Sequence, residues 1–312
     1  MKNGQFIVSL DFELFWGLAG FNRQAILNYK ENVSNAINAL DEILKLFNKY
    51  QIKVSIAYVG GMSLSSAQEF LDNYSSPEYE NKELNIHSYI KKYSDIIDDS
   101  LLVCSEYLKN LQNNRLVELG THTFSHFYCL EKGASVKDFA QDMQNVMAHQ
   151  NNVSTIIFPR NQVSQEYLQV CKYYGITHYR GFVEDWLYKA EPTKSHFSLK
   201  GALRLIDSYL PISGNRTFFV KKDADEIKNV PGSLFLRPYS KKLSFLEPLK
   251  VKRIKYSMRY AAKNGKCFHL WWHPHNFGCN MQENLHNLEE ICKYFTLLKT
   301  QFGYSSSFIK EL

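Results

Sequence analysis

Two histidines, His122 and His126, stand four residues apart just after a short apolar run. On a helix or a tight helical turn, side chains four apart lie on one face, so both rings could reach one cation at the ~2.0–2.1 Å of a zinc–nitrogen bond. Histidine pairs with this spacing also arise by chance, and two ligands do not complete a metal site. The pair therefore gains meaning only from the ionisable residues that the fold brings to it.

A pair of carboxylates, Asp11 and Glu13, follows the apolar stretch 6–10 near the N-terminus. This stretch predicts a buried strand, and parallel sheets and barrels place their chemistry at the C-terminal ends of strands. If the strand continues through both acids they share one face, where one can bind a cation while the other moves protons. The alternative is a pair of solvated loop acids or a helix N-cap.

Two more apolar stretches end in ionisable side chains. Residues 267–272 lead into His273 and His275, and residues 156–158 lead into Arg160. One strand end of this kind is weak evidence. Together the four strand ends predict a functional site at one edge of a sheet.

In this order the residues resemble the five-motif pattern of the polysaccharide deacetylase family, also called carbohydrate esterase family 4 or the NodB-homology domain. The resemblance spans roughly residues 5–285, and its spaced acids, in place of adjacent aspartates, resemble a divergent branch. The motifs are Ser9-Leu10-Asp11-Phe12-Glu13, the pair His122 and His126, Pro159-Arg160, Asp185-Trp186, and Leu270 with His273.

The resemblance implies a distorted (β/α)7-type α/β barrel with helical and irregular insertions. We expect one catalytic domain over residues 1–312, with insertions near 63–99 and 187–262. The apolar periodicity agrees with alternating strands and helices, and the irregular stretch 203–239 is expected to cap the pocket. Predicted strands lie at 53–59, 117–119, 155–158 and 176–179, and predicted helices at 33–50, 101–111 and 165–174.

The resemblance also implies a metal site. Glu13, His122 and His126 would hold one divalent ion, with zinc as the first expectation and cobalt, nickel or iron(II) left open. Asp11 would be the general base, and Arg160 would hold that base in position.

The remaining implied roles concern the general acid and the substrate. His273 would be the general acid, and His275 competes with it for that role. Tryptophans at strand ends could form a floor for a sugar ring, although they are as often part of a core. The residues expected to contact substrate are Asp185, Trp186, Trp272 and His275.

The resemblance implies a metal-dependent hydrolase that removes an N-acetyl group from a sugar unit of a surface glycan or its precursor, such as O-antigen or capsule. An ion with two imidazole ligands and one carboxylate keeps coordination positions open, as a working site requires. Two alternatives stand beside it: hydrolysis of another C–N bond on a small molecule, with or without metal, and non-catalytic carbohydrate binding.

Composition agrees with one enzyme-sized domain. The chain has 312 residues, 45% of them apolar and 22% charged, with a net charge of +6. The basic stretch 241–263 is interpreted as a solvated helix face, with a surface for a phosphorylated carrier, such as a nucleotide-sugar or lipid-linked glycan, as the alternative. No nucleic-acid-binding motif is present, so nucleic acid is not expected as a partner.

Six cysteines without close paired spacing indicate thiols in a reducing compartment more than a disulfide framework. No stretch approaches 18 uninterrupted apolar residues, and the apolar run before Asp11 is too short for a signal sequence. We therefore expect a cytoplasmic protein without a transmembrane segment that acts on a biosynthetic intermediate. The oligomeric state stays open.

Overall fold

A computed structural model describes residues 3–183, 187, 199–220 and 226–312. Asp185 and Trp186, expected to contact substrate, lie outside these residues. The strands are β1 (Gln5–Phe12), β2 (Val54–Tyr58), β3 (Val117–Thr121), β4 (Thr155–Ile157), β5 (His178–Arg180), β6 (Lys228–Asn229), β7 (Leu234–Phe235), β8 (Cys267–Trp272) and β9 (Ser305–Ser307). The helices are α1 (Arg23–Ser34), α2 (Ala36–Tyr50), α3 (Ala67–Asn73), α4 (Ile86–Lys92), α5 (Ser105–Leu111), α6 (Val136–His149), α7 (Gln165–Tyr173), α8 (Leu199–Asp207), α9 (Glu247–Lys263) and α10 (Met281–Phe302).

The nine strands form one sheet in which each pair of neighbouring strands is parallel. The strand order is β6-β5-β4-β3-β2-β1-β8-β7, and β9 pairs with the first residues of β1. Parallel strands have helices on their outer face, so they are buried on both faces. This agrees with the sequence of β1 and β2, in which nearly every residue is buried.

One chain segment, residues 228–236, closes the sheet into a barrel. The amide of Val230 donates to Tyr179 O beside β5 (2.9 Å), whereas the amide of Leu236 donates to Trp271 O of β8 (2.9 Å). The segment thus leaves one edge strand and joins the other, and it fills a seventh strand position together with β1 to β5 and β8. The predicted (β/α)7-type barrel is confirmed. The stretch 203–239, expected to cap the pocket, also supplies the strand that closes the barrel.

Successive side chains of β1 point alternately to the outer core and to the barrel interior. Phe6, Val8 and Leu10 belong to the large core between the sheet and its helices. Ile7 belongs instead to a smaller apolar cluster that includes Ala57, Ile157 and Val230 and fills the barrel interior. Because side chains alternate with a period of two, Ser9 and Asp11 also face the interior.

The helices follow the apolar periodicity in most places. Helix α2 buries Leu40, Leu44 and Phe47 and ends at Tyr50, as predicted. Helix α6 was not predicted, although Ser135 and Asp138 form a capping box at its start. None of the helices in the described ranges is both long and apolar enough to cross a membrane.

Helix α9 corrects part of the interpretation of the basic stretch 241–263 as a solvated face, because Lys241, Lys252 and Arg259 are exposed as expected but other cations are not. Two of its cations, Lys250 and Arg253, are buried. The Arg253 guanidinium donates to Ser257 Oγ (2.6 Å), and Lys250 Nζ lies 2.6 Å from Glu247 Oε2. Buried cations need such partners because desolvation of an unpaired charge is costly.

A second polar cluster fills the opposite end of the barrel. Glu118 Oε1 accepts from Thr155 Oγ1 (2.6 Å), and its other oxygen accepts from the Ser55 hydroxyl. The Ser55 Oγ in turn accepts from the backbone amide of Ile309 (3.0 Å), so the C-terminal segment covers this end. The cluster therefore ties three strands to the end of the chain.

We predict that Glu118→Ala lowers the free energy of unfolding by about 2–3 kcal/mol, because it leaves two buried hydroxyls without their acceptor. Urea denaturation of the variant measures this. Glu106→Ala is the matched control, since Glu106 is exposed and bonds only Lys109 (2.6 Å) among the described residues. A Glu118 variant as stable as the Glu106 variant would contradict the structural role of the cluster.

Candidate active site

Strand β1 delivers Asp11 and Glu13 to the C-terminal end of the barrel. Asp11 is the next-to-last residue of the strand, and Glu13 precedes a short turn in which Leu14 has a left-handed φ of 44°. The Glu13 carboxylate lies against Gly17, where an added Cβ would stand 2.1 Å from Oε1. The Glu13 carboxylate therefore occupies space that is open only because residue 17 is a glycine.

The two histidines lie on an irregular loop after β3, and not on the helical turn that the spacing suggested. Thr123 and His126 both have left-handed φ angles, of 66° and 59°. The loop is tied by Asp142 of α6, which accepts from Phe124 N (2.7 Å) and from the next backbone amide (3.0 Å). The histidine loop is therefore held by a carboxylate of α6, a helix that was not predicted from the sequence.

The predicted metal ligands Glu13, His122 and His126 come together. Their ligand atoms lie within 4.8 Å of one another, and all three side chains are buried. His122 Nε2 lies 3.3 Å and His126 Nε2 lies 3.0 Å from the same atom, Glu13 Oε2. Residues that are remote in sequence therefore converge on one point.

The ionisation states of this cluster suit a cation. Burial opposes the charge on Glu13, but nearby His273 and hydrogen bonds from His122 and His126 outweigh it and hold the Glu13 pKa well below its ordinary value. Burial lowers the pKa of His126 to about 4, so its ring is neutral at pH 7. Metal ions bind neutral imidazoles and ionised carboxylates.

The donor set fits one divalent metal ion. His122 Nδ1 lies 2.8 Å from Ile157 O, a contact that makes Nδ1 the N–H donor and leaves Nε2 as the ligand atom. His126 Nδ1 is buried without a hydrogen-bond partner in the described structure. Two imidazoles with one carboxylate is a common catalytic donor set, and it leaves room for water and substrate.

Asp11 is held by Arg180, and not by Arg160 as the sequence suggested. Two parallel hydrogen bonds of 2.6 Å join the Arg180 guanidinium to Asp11 Oδ1 and Oδ2. Burial would raise the pKa of Asp11, but the charges of Arg180 and His273 and the hydrogen bond from Arg180 together keep it below its ordinary value. Asp11 is therefore an ionised, oriented carboxylate beside the three candidate ligands.

Arg160 lies elsewhere because the backbone turns after β4. Its own φ is +52°, and its guanidinium stacks over the Tyr128 ring at 4.2 Å and stands 3.6 Å from Glu131. Each arginine comes just after a predicted strand, 155–158 for Arg160 and 176–179 for Arg180, but the second strand contains Thr177 and His178 and is not apolar throughout. Sequence spacing alone could not choose between them.

Arg180 is itself anchored on every side. Its guanidinium donates to Ser9 Oγ (3.0 Å) and to Asn161 Oδ1 (2.9 Å), and it stacks on the Trp271 ring at 4.1 Å. Ser9 Oγ also lies 2.7 Å from His269 Nε2. Burial lowers the pKa of His269 to about 3, so this ring is a neutral part of the support.

The two C-terminal histidines occupy different depths. His273 Nε2 lies 3.5 Å from Glu13 Oε1 and 3.8 Å from Asp11 Oδ2, and its side chain is 22% exposed. His275 is buried and stacks on His273 with ring centres 4.9 Å apart. Burial and the neighbouring His273 lower the pKa of His275 to about 3. Of the two, His273 is the one that a substrate could reach.

Trp272, expected to contact substrate, points away from the site. It is fully buried in the outer core, between Phe47 and Phe277. The reason is strand alternation, which places Trp271 on the interior face and Trp272 on the helix face. Trp271 is therefore the aromatic residue of β8 that borders the site.

Several supporting residues were not assigned a role from the sequence. For some of them a signal existed: Arg180 comes directly after the predicted strand 176–179, and Gly17 lies four residues after an acid. For Asp142 no local signal existed, because its partners are backbone amides 17 and 18 residues away. The residues concerned are Gly17, Asp142, Asn161 and Arg180.

Comparison with known proteins places the fold. No family model matches the chain, and no curated protein matches its sequence. Among solved structures it is similar to a protein from Mycobacterium smegmatis assigned as a polysaccharide deacetylase, with a TM-score of 0.57 and 6% identity over 99% of this chain and 89% of the other. It is also similar to PuuE allantoinase, with a TM-score of 0.56 and 8% identity over 98% and 88% of the two chains.

A third similar structure is a GH57-type branching enzyme from Pyrococcus horikoshii, with a TM-score of 0.52 and 13% identity over 99% of this chain and 69% of the other. At these identities the likeness establishes a shared fold and no shared activity. The fold expected from the resemblance to polysaccharide deacetylases is thus confirmed.

We predict that Glu13→Gln lowers zinc or cobalt affinity by at least about tenfold, because it removes an anionic ligand. Gly17→Ala should have a similar effect with the fold intact, because the added methyl displaces only the end of a flexible side chain. Metal titration followed by elemental analysis measures both, and Glu106→Gln is the surface control. Unchanged affinity in both variants would exclude Glu13 as a ligand.

Proposed function

We propose that this protein is a metal-dependent hydrolase that removes an N-acetyl group from a sugar unit of a surface glycan or of its biosynthetic precursor. The observation that carries the proposal is the convergence of Glu13, His122 and His126 with the spare carboxylate of Asp11 alongside. A purely structural cluster has no need of an additional oriented acid held by a buried arginine.

The proposed ligands are Glu13, His122 and His126. A divalent ion bound there would supply Lewis-acid polarisation of an amide carbonyl and make water a stronger acid. The remaining steps concern protons, and the chain's own side chains can perform them.

Asp11 is the proposed general base. Its bidentate pairing with Arg180 keeps the carboxylate ionised and fixes the direction of both oxygens. A carboxylate in this state can accept a proton from a water molecule as that water attacks the acetyl carbon. The Asn161 and Ser9 contacts hold Arg180, so the base is oriented by a support that takes no part in proton transfer.

His273 is the proposed general acid. Amide hydrolysis requires a proton for the departing amine, and histidine is the side chain that most often transfers protons in catalysis. His273 stands across the site from the histidine loop, within 3.8 Å of Asp11, and is the more exposed of the two C-terminal histidines. Its stacked neighbour His275 would limit ring rotation, which is a positioning role.

The sugar assignment rests on the fold and on the walls of the site. The similar protein from Mycobacterium smegmatis is assigned as a polysaccharide deacetylase. Beside His273 the site has two aromatic rings, those of Trp271 and Phe235, with centres 6.1 and 5.9 Å from the His273 ring. Aromatic faces of this kind suit the apolar face of a sugar ring.

A second candidate function is hydrolysis of another C–N bond on a small molecule, with or without metal. The similarity to PuuE allantoinase, at nearly the same TM-score, favours a small-molecule substrate. Turnover of N-acetylated sugars separates the two candidates: the deacetylase that we propose hydrolyses them, loses this turnover when a chelator removes bound metal, and regains it when zinc or cobalt is restored.

We predict that Asp11→Asn reduces turnover of an N-acetylated sugar by about 10²–10⁴-fold, the usual contribution of a general base. Metal content should be unchanged, because Asp11 is outside the proposed ligand set. Acetate release and elemental analysis, measured on the same preparation, test both statements. Full activity in the asparagine variant would refute the assignment of the base, and loss of metal would make Asp11 a ligand instead.

We predict that Arg180→Lys lowers kcat by about 10²-fold, because an ammonium cannot replace two parallel bonds to a carboxylate. Arg160→Lys keeps its charge and does not disturb Asp11, so its kcat should fall less than about tenfold by the same reasoning. Steady-state kinetics of the two matched variants, with thermal unfolding as a check on folding, decide between them. A larger loss for Arg160→Lys would restore Arg160 as the partner of the base.

A further inference from the structure

Exposed apolar side chains are concentrated on one surface, formed by the turn 208–214 and the outer face of residues 241–263, which we call the α9 surface. Eight of the thirteen large apolar side chains that are exposed among the described residues lie within 205–256. Phe245 is 74% exposed, Leu210 51% and Ile212 50%. Single exposed apolar residues are common, but a group of them on one surface indicates an interaction site.

Polar bonds at the base of the turn 208–214 hold its apolar tip in solvent. The Asp207 carboxylate accepts from Ser213 N (2.8 Å) and from Ser213 Oγ (2.7 Å). The Arg253 guanidinium of α9 donates to Asp207 O (3.3 Å) and to Gly214 O (2.7 Å). Both ends of the turn are therefore fastened to α9, while Leu210 and Ile212 lie at the exposed tip.

The outer face of α9 continues this surface. Its exposed positions recur at intervals of three and four residues, so they lie along one face of the helix. Apolar and cationic side chains are interleaved there over about 20 Å of helix length. The exposed residues are Leu249, Lys252, Tyr256, Arg259 and Lys263.

The charge of this surface is of one sign. Residues 199–220 and 241–263 together contain eleven lysines and arginines but two acids, Asp207 and Glu247, and both acids are buried. An uncompensated positive field therefore surrounds the exposed apolar side chains. In the described part of the chain no acid pairs with the exposed cations Lys241, Lys242, Lys252 and Arg259.

We propose that the α9 surface docks on a membrane that contains anionic phospholipid. Lysines and arginines beside a bilayer attract anionic head groups, while apolar side chains enter the boundary between the head groups and the acyl chains. A tyrosine such as Tyr256 suits this boundary because one end of its side chain is apolar and the other is polar. The composition fits a protein partner less well, because lysine is depleted in protein–protein interfaces and three of the four unpaired cations are lysines.

The α9 surface adjoins the candidate active site. Ser208, at the start of the turn, lines a cleft of about 340 Å³ together with Trp271 and His273. A protein docked in this way would therefore hold the site close to the bilayer. Membrane binding does not require the proposed reaction, so the two can be tested separately.

The first test is co-sedimentation of the full chain with lipid vesicles. We expect at least about tenfold stronger binding to vesicles of phosphatidylcholine and phosphatidylglycerol in equal parts than to phosphatidylcholine alone. The binding should weaken as salt is raised, because salt screens the attraction between exposed charges. Absent binding, or equal binding to both kinds of vesicle, would overturn the proposal.

Variants of the surface separate its electrostatic and apolar contributions. The double variant Lys241→Gln with Lys242→Gln should weaken binding to anionic vesicles by about tenfold or more, because two cations near the lipid surface are lost. Phe245→Ser should weaken it by about tenfold, because an apolar side chain no longer enters the bilayer. Thermal unfolding of each variant checks that it is folded.

The matched controls carry the same substitutions on other parts of the barrel. Lys132→Gln with Lys137→Gln removes two exposed lysines at the start of α6, and Tyr173→Ser removes an exposed aromatic ring at the end of α7. Both controls should bind like the unchanged chain. If the surface variants bind as well as these controls, the α9 surface is not the docking site.

Hydrogen exchange locates the contact independently of the variants. With anionic vesicles present, amides of residues 208–214 and 241–246 should exchange more slowly, and those of α6 should not change. Slower exchange confined to another part of the chain would contradict the proposed location. A dimer that Phe245→Ser dissociates, without any binding to vesicles, would assign the surface to a second copy of this chain and overturn membrane docking.

Discussion

The buried ion pair between Asp11 and Arg180 is the interaction on which the rest of the site depends. Neither side chain is more than 4% exposed, so both charges lose their hydration. Such a pair is tolerated only when its geometry is good and its remaining donors are satisfied. Here two parallel bonds, Ser9, Asn161 and the Trp271 ring meet that condition. The pair also joins β1 to β5 across the barrel interior, so the orientation of Asp11 depends on the shape of the barrel.

Closure of the barrel completes this support. The segment 228–236 pairs first with β5 and then with β8, and at the change of partner it contacts the strand that carries His269. Val230 O lies 3.2 Å from His269 Nδ1, and the other ring nitrogen reaches Ser9. The chain of contacts therefore runs from the closing strand through a neutral histidine to the guanidinium beside Asp11. If the barrel did not close, Asp11 would be held less rigidly, although none of its direct contacts would be removed.

The sequence predicted which residues lie at the site better than it predicted which of them contact one another. Apolar strands that end in acids or histidines identified Asp11, Glu13, the histidine pair and His273, because a parallel barrel must bring its strand ends to one rim. The predicted partner of Asp11 was wrong, because both arginines come just after predicted strands and the rule of apolar strand ends selected Arg160. In the structure Arg160 has a left-handed φ and its guanidinium lies over Tyr128 instead. The prediction that Trp272 contacts substrate was wrong by one residue, because neighbouring residues of a strand point to opposite faces of the sheet. Which face of the sheet a side chain occupies at a strand end depends on the whole sheet, and the six residues of one strand do not determine it.

The backbone around the site adds an argument for function. Left-handed φ angles occur at Leu14, Thr123, His126, Arg160 and Asn161, all of them residues other than glycine. Each such conformation costs about 1–3 kcal/mol and persists only where the surroundings impose it. Here the surroundings include Asp142 beneath the histidine loop and Asn161 beneath Arg180. These strained positions surround a cluster in which two imidazoles and two carboxylates meet. Repulsion between the two carboxylates opposes this arrangement unless a cation and a guanidinium balance their charges. Strain around an electrostatically demanding cluster agrees with the metal-dependent chemistry that we propose for this site.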